Sequence, residues 1–136
     1  MRGGLSFASV KSLLTNTLAV AAGGSLGAVA RYLITLATAR LMGLGFPYGT
    51  FIINISGSFI LGYFAAAYAH REKISHPAYL AVAVGFVGAY TTFSTWMYDS
   101  EALMKNSEYL KASANILGSI AVGLLAVRLG IWTAAK

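Results

Sequence analysis

Near the middle of the chain, Gly85–Trp96 reads GFVGAYTTFSTW. Its hydroxyl side chains are Thr91, Thr92, Ser94 and Thr95, interleaved with Phe93 and Trp96 and preceded by Gly85 and Gly88. Elsewhere Asn54 stands in an apolar run, Asn115 and Ser119 lie one helical turn apart in another, and Arg31 follows a run of small residues. These are neutral hydrogen-bond donors and one guanidinium, which suits handling an ion rather than making or breaking bonds. There is no cysteine, no nucleophile with a base beside it and no phosphate loop, so an enzyme is the least favoured reading. His70, Glu72 and His76 match no strong metal-ligand spacing.

The elements that must position these residues are membrane spans. Of 136 residues, 57% are hydrophobic and 10% charged, whereas soluble domains carry about 25% charge. A spanning helix takes ~20 residues. The chain therefore reads as one four-helix transmembrane domain, 1–136, with spans at roughly 13–36, 49–68, 77–104 and 112–132. Met1–Ser12 reads as a short amphipathic tail ahead of a retained first span. In that span Gly23 and Gly27 form a small-residue face for close helix approach. Arg31 beyond them either faces an aqueous cavity or partner or snorkels to the interface. Asn54 either bonds across a helix interface or lines a wet path.

The third span contains the anomaly. Two glycines followed by a row of hydroxyls weaken a helix and offer its backbone local alternatives. The expectation is a break near residues 88–92, at a depth where freed backbone groups need protein, water or an ion. Breaks of this kind lie at ion or substrate sites. The alternative is an unbroken helix whose Ser and Thr hydroxyls bond back to their own carbonyls. Asp99 and Glu101, further along, should reach an interface or a pore mouth. On the fourth span Asn115, Ser119 and Gly123 make one polar stripe, either for close packing or along a narrow path.

The net charge of +6 sits on loops and ends, where anionic headgroups accept it, and no basic cluster points to nucleic acid. Four spans put both termini on one side, with Arg2, Lys11, Arg71, Lys73, Arg128 and Lys136, against Arg40, Lys105 and Lys111 on the other. Discounting the embedded Arg128 and terminal Lys136 leaves four against three, a weak orientation signal. A chain so balanced is suited to insert both ways up, and two copies can then pair antiparallel.

Three motifs now coincide: GGSLGAVARY (Gly23–Tyr32), GTFIINISGSFILG (Gly49–Gly62) and GFVGAYTTFST (Gly85–Thr95). Together, in order and across all four spans, they closely resemble the Fluc/CrcB family of fluoride ion channels. The resemblance implies an all-α membrane protein whose third helix is broken mid-membrane, assembled as an antiparallel dual-topology homodimer in the bacterial inner membrane. It implies passive, fluoride-selective export from the cytoplasm through two pores, and a structural Na+ at the dimer centre. That ion is held by backbone carbonyls matching Gly88 and Thr91. The pore residues carried over are Asn54, Phe93, Thr92, Ser94, Thr95 and, in a vestibule, Arg31. Where the family has a second phenylalanine this chain has Trp96, and for a fourth-helix polar track it offers Asn115 and Ser119. Glu101 resembles an acidic residue beyond the paired aromatics.

Such a set fits fluoride, a small and strongly hydrated anion whose lost water must be replaced by good donors. Amide and hydroxyl donors do this without a full charge that would trap the ion. The positive edge of Phe93 faces an anion without binding it tightly. The main rival is a small four-span proton-coupled multidrug or cation exporter, but no Asp or Glu of the first two spans could carry its proton. A second rival is a scaffold subunit, which leaves the glycines and hydroxyls of one span unexplained.

Overall fold

A computed structural model describes residues 7–70 and 74–136. Arg2, Arg71, Glu72 and Lys73 fall outside the described residues, as does the side chain of His70, so the His70–Glu72–His76 grouping is not among them. Four helical spans among the described residues are long and apolar enough to cross a bilayer: Phe7–Met42, Tyr48–Ala69, His76–Lys105 and Tyr109–Ala134.

Helix α1 (Phe7–Met42) already includes residues 7–12 of the stretch expected as a tail. It stops where Gly43 adopts φ 77°, the left-handed cap position that glycine fills without steric cost. Helix α2 (Tyr48–His70) follows after a short loop. The third span opens with α3 (His76–Tyr79), capped by the Ser75 hydroxyl with Pro77 in its first turn. It then widens into a π-helical segment, Leu80–Phe86, and tightens again into α4 (Val87–Tyr90).

At Thr91 and Thr92 this span leaves the helix. Their backbones are extended, at φ −76°, ψ 160° and φ −151°, ψ 115°. Helix α5 (Phe93–Lys105) starts immediately after. The unbroken-helix alternative is thereby excluded, although the Thr91 hydroxyl does bond back to the Val87 carbonyl at 2.9 Å. Helix α5 ends in a turn in which Ser107 takes φ 61° and the Glu108 N–H reaches the Leu103 carbonyl at 2.9 Å. Helix α6 (Tyr109–Ala134) closes the chain.

Packing follows the small residues. Helix α1 lies mainly along the π-helical segment and α4, and α2 along α6. A Cβ on Gly23 would meet the Ala81 carbonyl, and one on Gly27 the Phe86 carbonyl. From the other side, a Cβ on Gly85 would come within 3.0 Å of the Gly24 nitrogen. The α1 face read as small is therefore a backbone-on-backbone contact with the third span. Gly62 and Gly130 do the same for α2 and α6. Gly23→Val is expected to cost about 3 kcal/mol or more, because the obstruction is backbone and cannot rotate aside. Loss of the monodisperse peak in detergent, or a fall of several degrees in Tm, is the result to look for; an unchanged Tm contradicts the contact.

Candidate functional site

The break is built around Thr92. Asn54, on α2, holds both backbone groups of that residue: the Thr92 N–H donates to Asn54 Oδ1 at 2.8 Å, and Asn54 Nδ2 donates to the Thr92 carbonyl at 3.1 Å. A side-chain amide thus replaces the helix ladder for both backbone groups of one residue, which is only 8% exposed. Of the two roles open to Asn54 from its sequence, the bond across a helix interface is present. Thr92 then caps α5: its Oγ accepts the Thr95 N–H at 3.3 Å and its hydroxyl donates to Thr95 Oγ at 2.9 Å. Gly57 makes room for the break, since a Cβ there would strike the Thr91 methyl. Ser56 and Tyr90 tie α2 to α4 with hydroxyl oxygens 2.8 Å apart.

Two consequences follow for the backbone. The Thr92 N–H is taken by Asn54 and the Thr95 N–H by Thr92, so the carbonyls of Gly88 and Thr91 lose the donors four residues on. Gly88 also has open space where a Cβ would stand.

Beside the break lies an open cleft of about 270 Å³. Asn54, Ser58, Thr91, Thr92, Phe93 and Trp96 are among the residues lining it. The rings of Phe93 and Trp96 sit 5.5 Å apart and tilted by 59°. A second cavity, about 290 Å³, opens next to the loop at residues 43–47 and includes Thr50, Thr95 and Asp99. There the buried Thr50 hydroxyl donates to Asp99 Oδ2 at 2.7 Å. Thr50 and Asn54 are one turn apart on α2, and Thr95 and Asp99 one turn apart on α5. The two cavities therefore flank the Thr92–Thr95 cap and form a seam of neutral polar groups between α2 and α5, with a carboxyl at one end.

Asp99, rather than Glu101, is the acidic residue in that mouth; Glu101 is exposed and lies 3.7 Å from Lys105. Thr50 was not singled out from sequence, though its place four residues before Asn54 puts it on the same face. Ser94 is exposed and lines neither cavity. Arg31 is half-buried, lines neither cavity and makes no ion pair among the described residues. Asn115 and Ser119 lie outside both cavities as well: Asn115 is fully buried and its Nδ2 donates to Ser100 Oγ at 2.9 Å. Asn115 Oδ1 and Ser119 Oγ are buried without a hydrogen-bond partner. Trp96 reaches the same helix, its Nε1 donating to the Asn115 carbonyl at 3.1 Å.

Four apolar helices, one of them interrupted beside a donor-lined cleft, define a multi-pass membrane protein of the ion-handling kind. Residues 18–131 match the profile of the family described as CrcB-like protein, Camphor Resistance (CrcB). The Fluoride-specific ion channel FluC 1 of Nitrobacter hamburgensis is 44% identical over 117 residues, covering 86% of this chain and 93% of the relative. The Fluoride-specific ion channel FluC of Chlorobaculum tepidum is 44% identical over 112 residues, 82% of this chain and 88% of the relative. The protein of that name from Geobacter sulfurreducens is 37% identical over 123 residues, 90% and 99% of the two chains. The chain belongs to the CrcB family, whose named relatives are ion channels and not enzymes.

Proposed function

We propose that this chain is a fluoride-selective channel that lets F− leave the cytoplasm passively across the bacterial inner membrane. The observation that carries the reading is the Asn54–Thr92 pairing, which holds a helix open beside a cleft lined by amide, hydroxyl and aromatic groups. An ion shedding its water there meets Asn54, whose second amide hydrogen is not used by Thr92; the Thr91 and Thr92 hydroxyls are committed to the Val87 carbonyl and to Thr95 Oγ, and they serve the ion only by turning away from those acceptors. Phe93 and Trp96 wall the passage, and Thr95 continues it towards the cavity at Thr50. Arg31 draws anions towards a vestibule. Asn115 and Ser119 back the wall from α6.

A single four-helix chain leaves Phe93 71% exposed. The reading is therefore completed by a second copy of opposite orientation, giving an antiparallel dual-topology homodimer with two passages. The near-balanced loop charges support that arrangement. Na+ fits its centre: the Gly88 and Thr91 carbonyls are hard, neutral oxygens released by the break, with no Cβ crowding Gly88. Held by these carbonyls from both copies, Na+ would supply fixed positive potential between them. Asp99 in its cavity is a feature that a proton-coupled exporter could use instead.

Purified protein in liposomes distinguishes these readings. Fluoride efflux, followed with a fluoride electrode, should be electrogenic, show little chloride current and need no pH gradient. Strict dependence on a proton gradient favours the exporter, and silence toward every ion removes the channel. Cysteines introduced in the loop at residues 43–47 should be labelled from both sides of the membrane; labelling from one side alone overturns dual topology. Replacing Na+ with a large organic cation should depress the flux, and an unchanged flux removes the sodium site.

A further inference from the structure

The wall behind the cleft is a closed circuit of three residues. Trp96 Nε1 donates to the Asn115 carbonyl at 3.1 Å, Asn115 Nδ2 donates to Ser100 Oγ at 2.9 Å, and the Ser100 hydroxyl donates to the Trp96 carbonyl at 2.8 Å. Ser100 is 2% exposed and Asn115 0%, so water does not substitute for either. Of the three, only Trp96 lines the cleft. The indole has a single hydrogen-bond donor, and here it is spent on the backbone of α6. What the cleft receives from Trp96 is ring carbon.

We propose that Ser100 and Asn115 are positioning residues that withhold the Trp96 indole N–H from the passing ion. The proposal rests on the fluoride passage described above. A free indole N–H next to the Asn54 amide would add a strong donor to a site from which the ion must also depart. A phenylalanine at position 96, which the family resemblance leads one to expect, has no N–H and needs no such arrangement. The cost of the circuit is visible on α6: Asn115 is committed to Ser100 on one side, and its Oδ1 is left buried without a partner.

Loss of the Ser100 hydroxyl leaves the Asn115 amide with neither end paired, which lets that turn of α6 shift and frees the indole. The chain has two tryptophans, so in a Trp132→Phe background Trp96 is the only indole, and its emission is read by exciting at the red edge, where the tyrosines do not absorb. There Ser100→Ala should red-shift the emission, make it sensitive to added fluoride and slow fluoride flux about tenfold, the equivalent of one hydrogen bond of roughly 1.4 kcal/mol. Ser100→Thr, which keeps the hydroxyl, should restore all three. In a Trp96→Phe channel, Ser100→Ala should change flux by less than about twofold, because the coupling partner is gone. Equal losses in the two backgrounds, or an emission spectrum unmoved by Ser100→Ala, overturn the proposal. If Ser100→Ala does not fold, Ser100→Cys, of similar size but a weak donor and acceptor, carries the same expectations. Wild-type protein without fluoride flux sinks the channel reading, while the emission shift still decides whether the circuit holds the indole.

Discussion

Asn54→Leu is expected to reduce fluoride flux by roughly two orders of magnitude. Leucine keeps the volume and removes every polar contact. The Thr92 N–H and carbonyl then stand unpaired in a region that water barely reaches, and each such group costs about 1–3 kcal/mol. About 3 kcal/mol in total corresponds to roughly a hundredfold, at 1.4 kcal/mol per decade. The chain has one inexpensive escape: Thr92 can return to helical geometry and give its N–H to the Gly88 carbonyl. That escape closes the break, removes the amide from the cleft and withdraws the Gly88 oxygen from any cation. Hydrogen exchange separates the two outcomes: the Thr92 amide should lose protection if it is left unpaired and keep it if the break closes and the Gly88 carbonyl takes its N–H. Asn54→Asp is the informative companion, because it keeps an acceptor for the Thr92 N–H but brings a carboxyl to the cleft. A leucine variant that folds and passes fluoride at the wild-type rate would remove Asn54 from both roles.

This residue also marks the limit of what the amino-acid order discloses. The four spans are legible because apolar runs of bilayer length leave little else for the chain to be. The interruption of the third span is legible for a related reason: Gly85, Gly88 and a row of hydroxyls are poor choices for a helix in lipid, and the extended pair falls at Thr91–Thr92. What occupies the vacated ladder positions is not legible. Asn54 and Thr92 lie 38 residues apart, and their pairing depends on how α2 meets the third span. The π-helical turn at Leu80–Phe86 was also hidden, since it is a change of hydrogen-bond register with no fixed side-chain signature. For Asn115 a polar stripe on α6 left packing and a path equally open. Its amide turns to Ser100, and no spacing rule links those two positions before α5 and α6 are docked. Asp99 was legible only as one of two acids near a span end; the difference is that Thr50 faces it, whereas Lys105 faces Glu101.

Phe93→Ile should abolish fluoride flux while leaving the protein folded. Phe93 is 71% exposed and adds little to the packing of a single chain, so its truncation creates no cavity there. Isoleucine is comparably apolar and fills much of the same space. The property it lacks is the ring quadrupole, whose positive edge an anion can approach without a formal charge being present. Flux should therefore fall by at least two decades, at an unaltered elution volume and Tm. Pentafluorophenylalanine at position 93 isolates the cause, because it keeps a ring of nearly the same size and reverses the sign of its edge. If the edge attracts the ion, that variant must be as inactive as isoleucine. If the ring merely narrows the passage, it must conduct nearly as well as the natural side chain, and the passage would then owe its anion preference to the Asn54 amide.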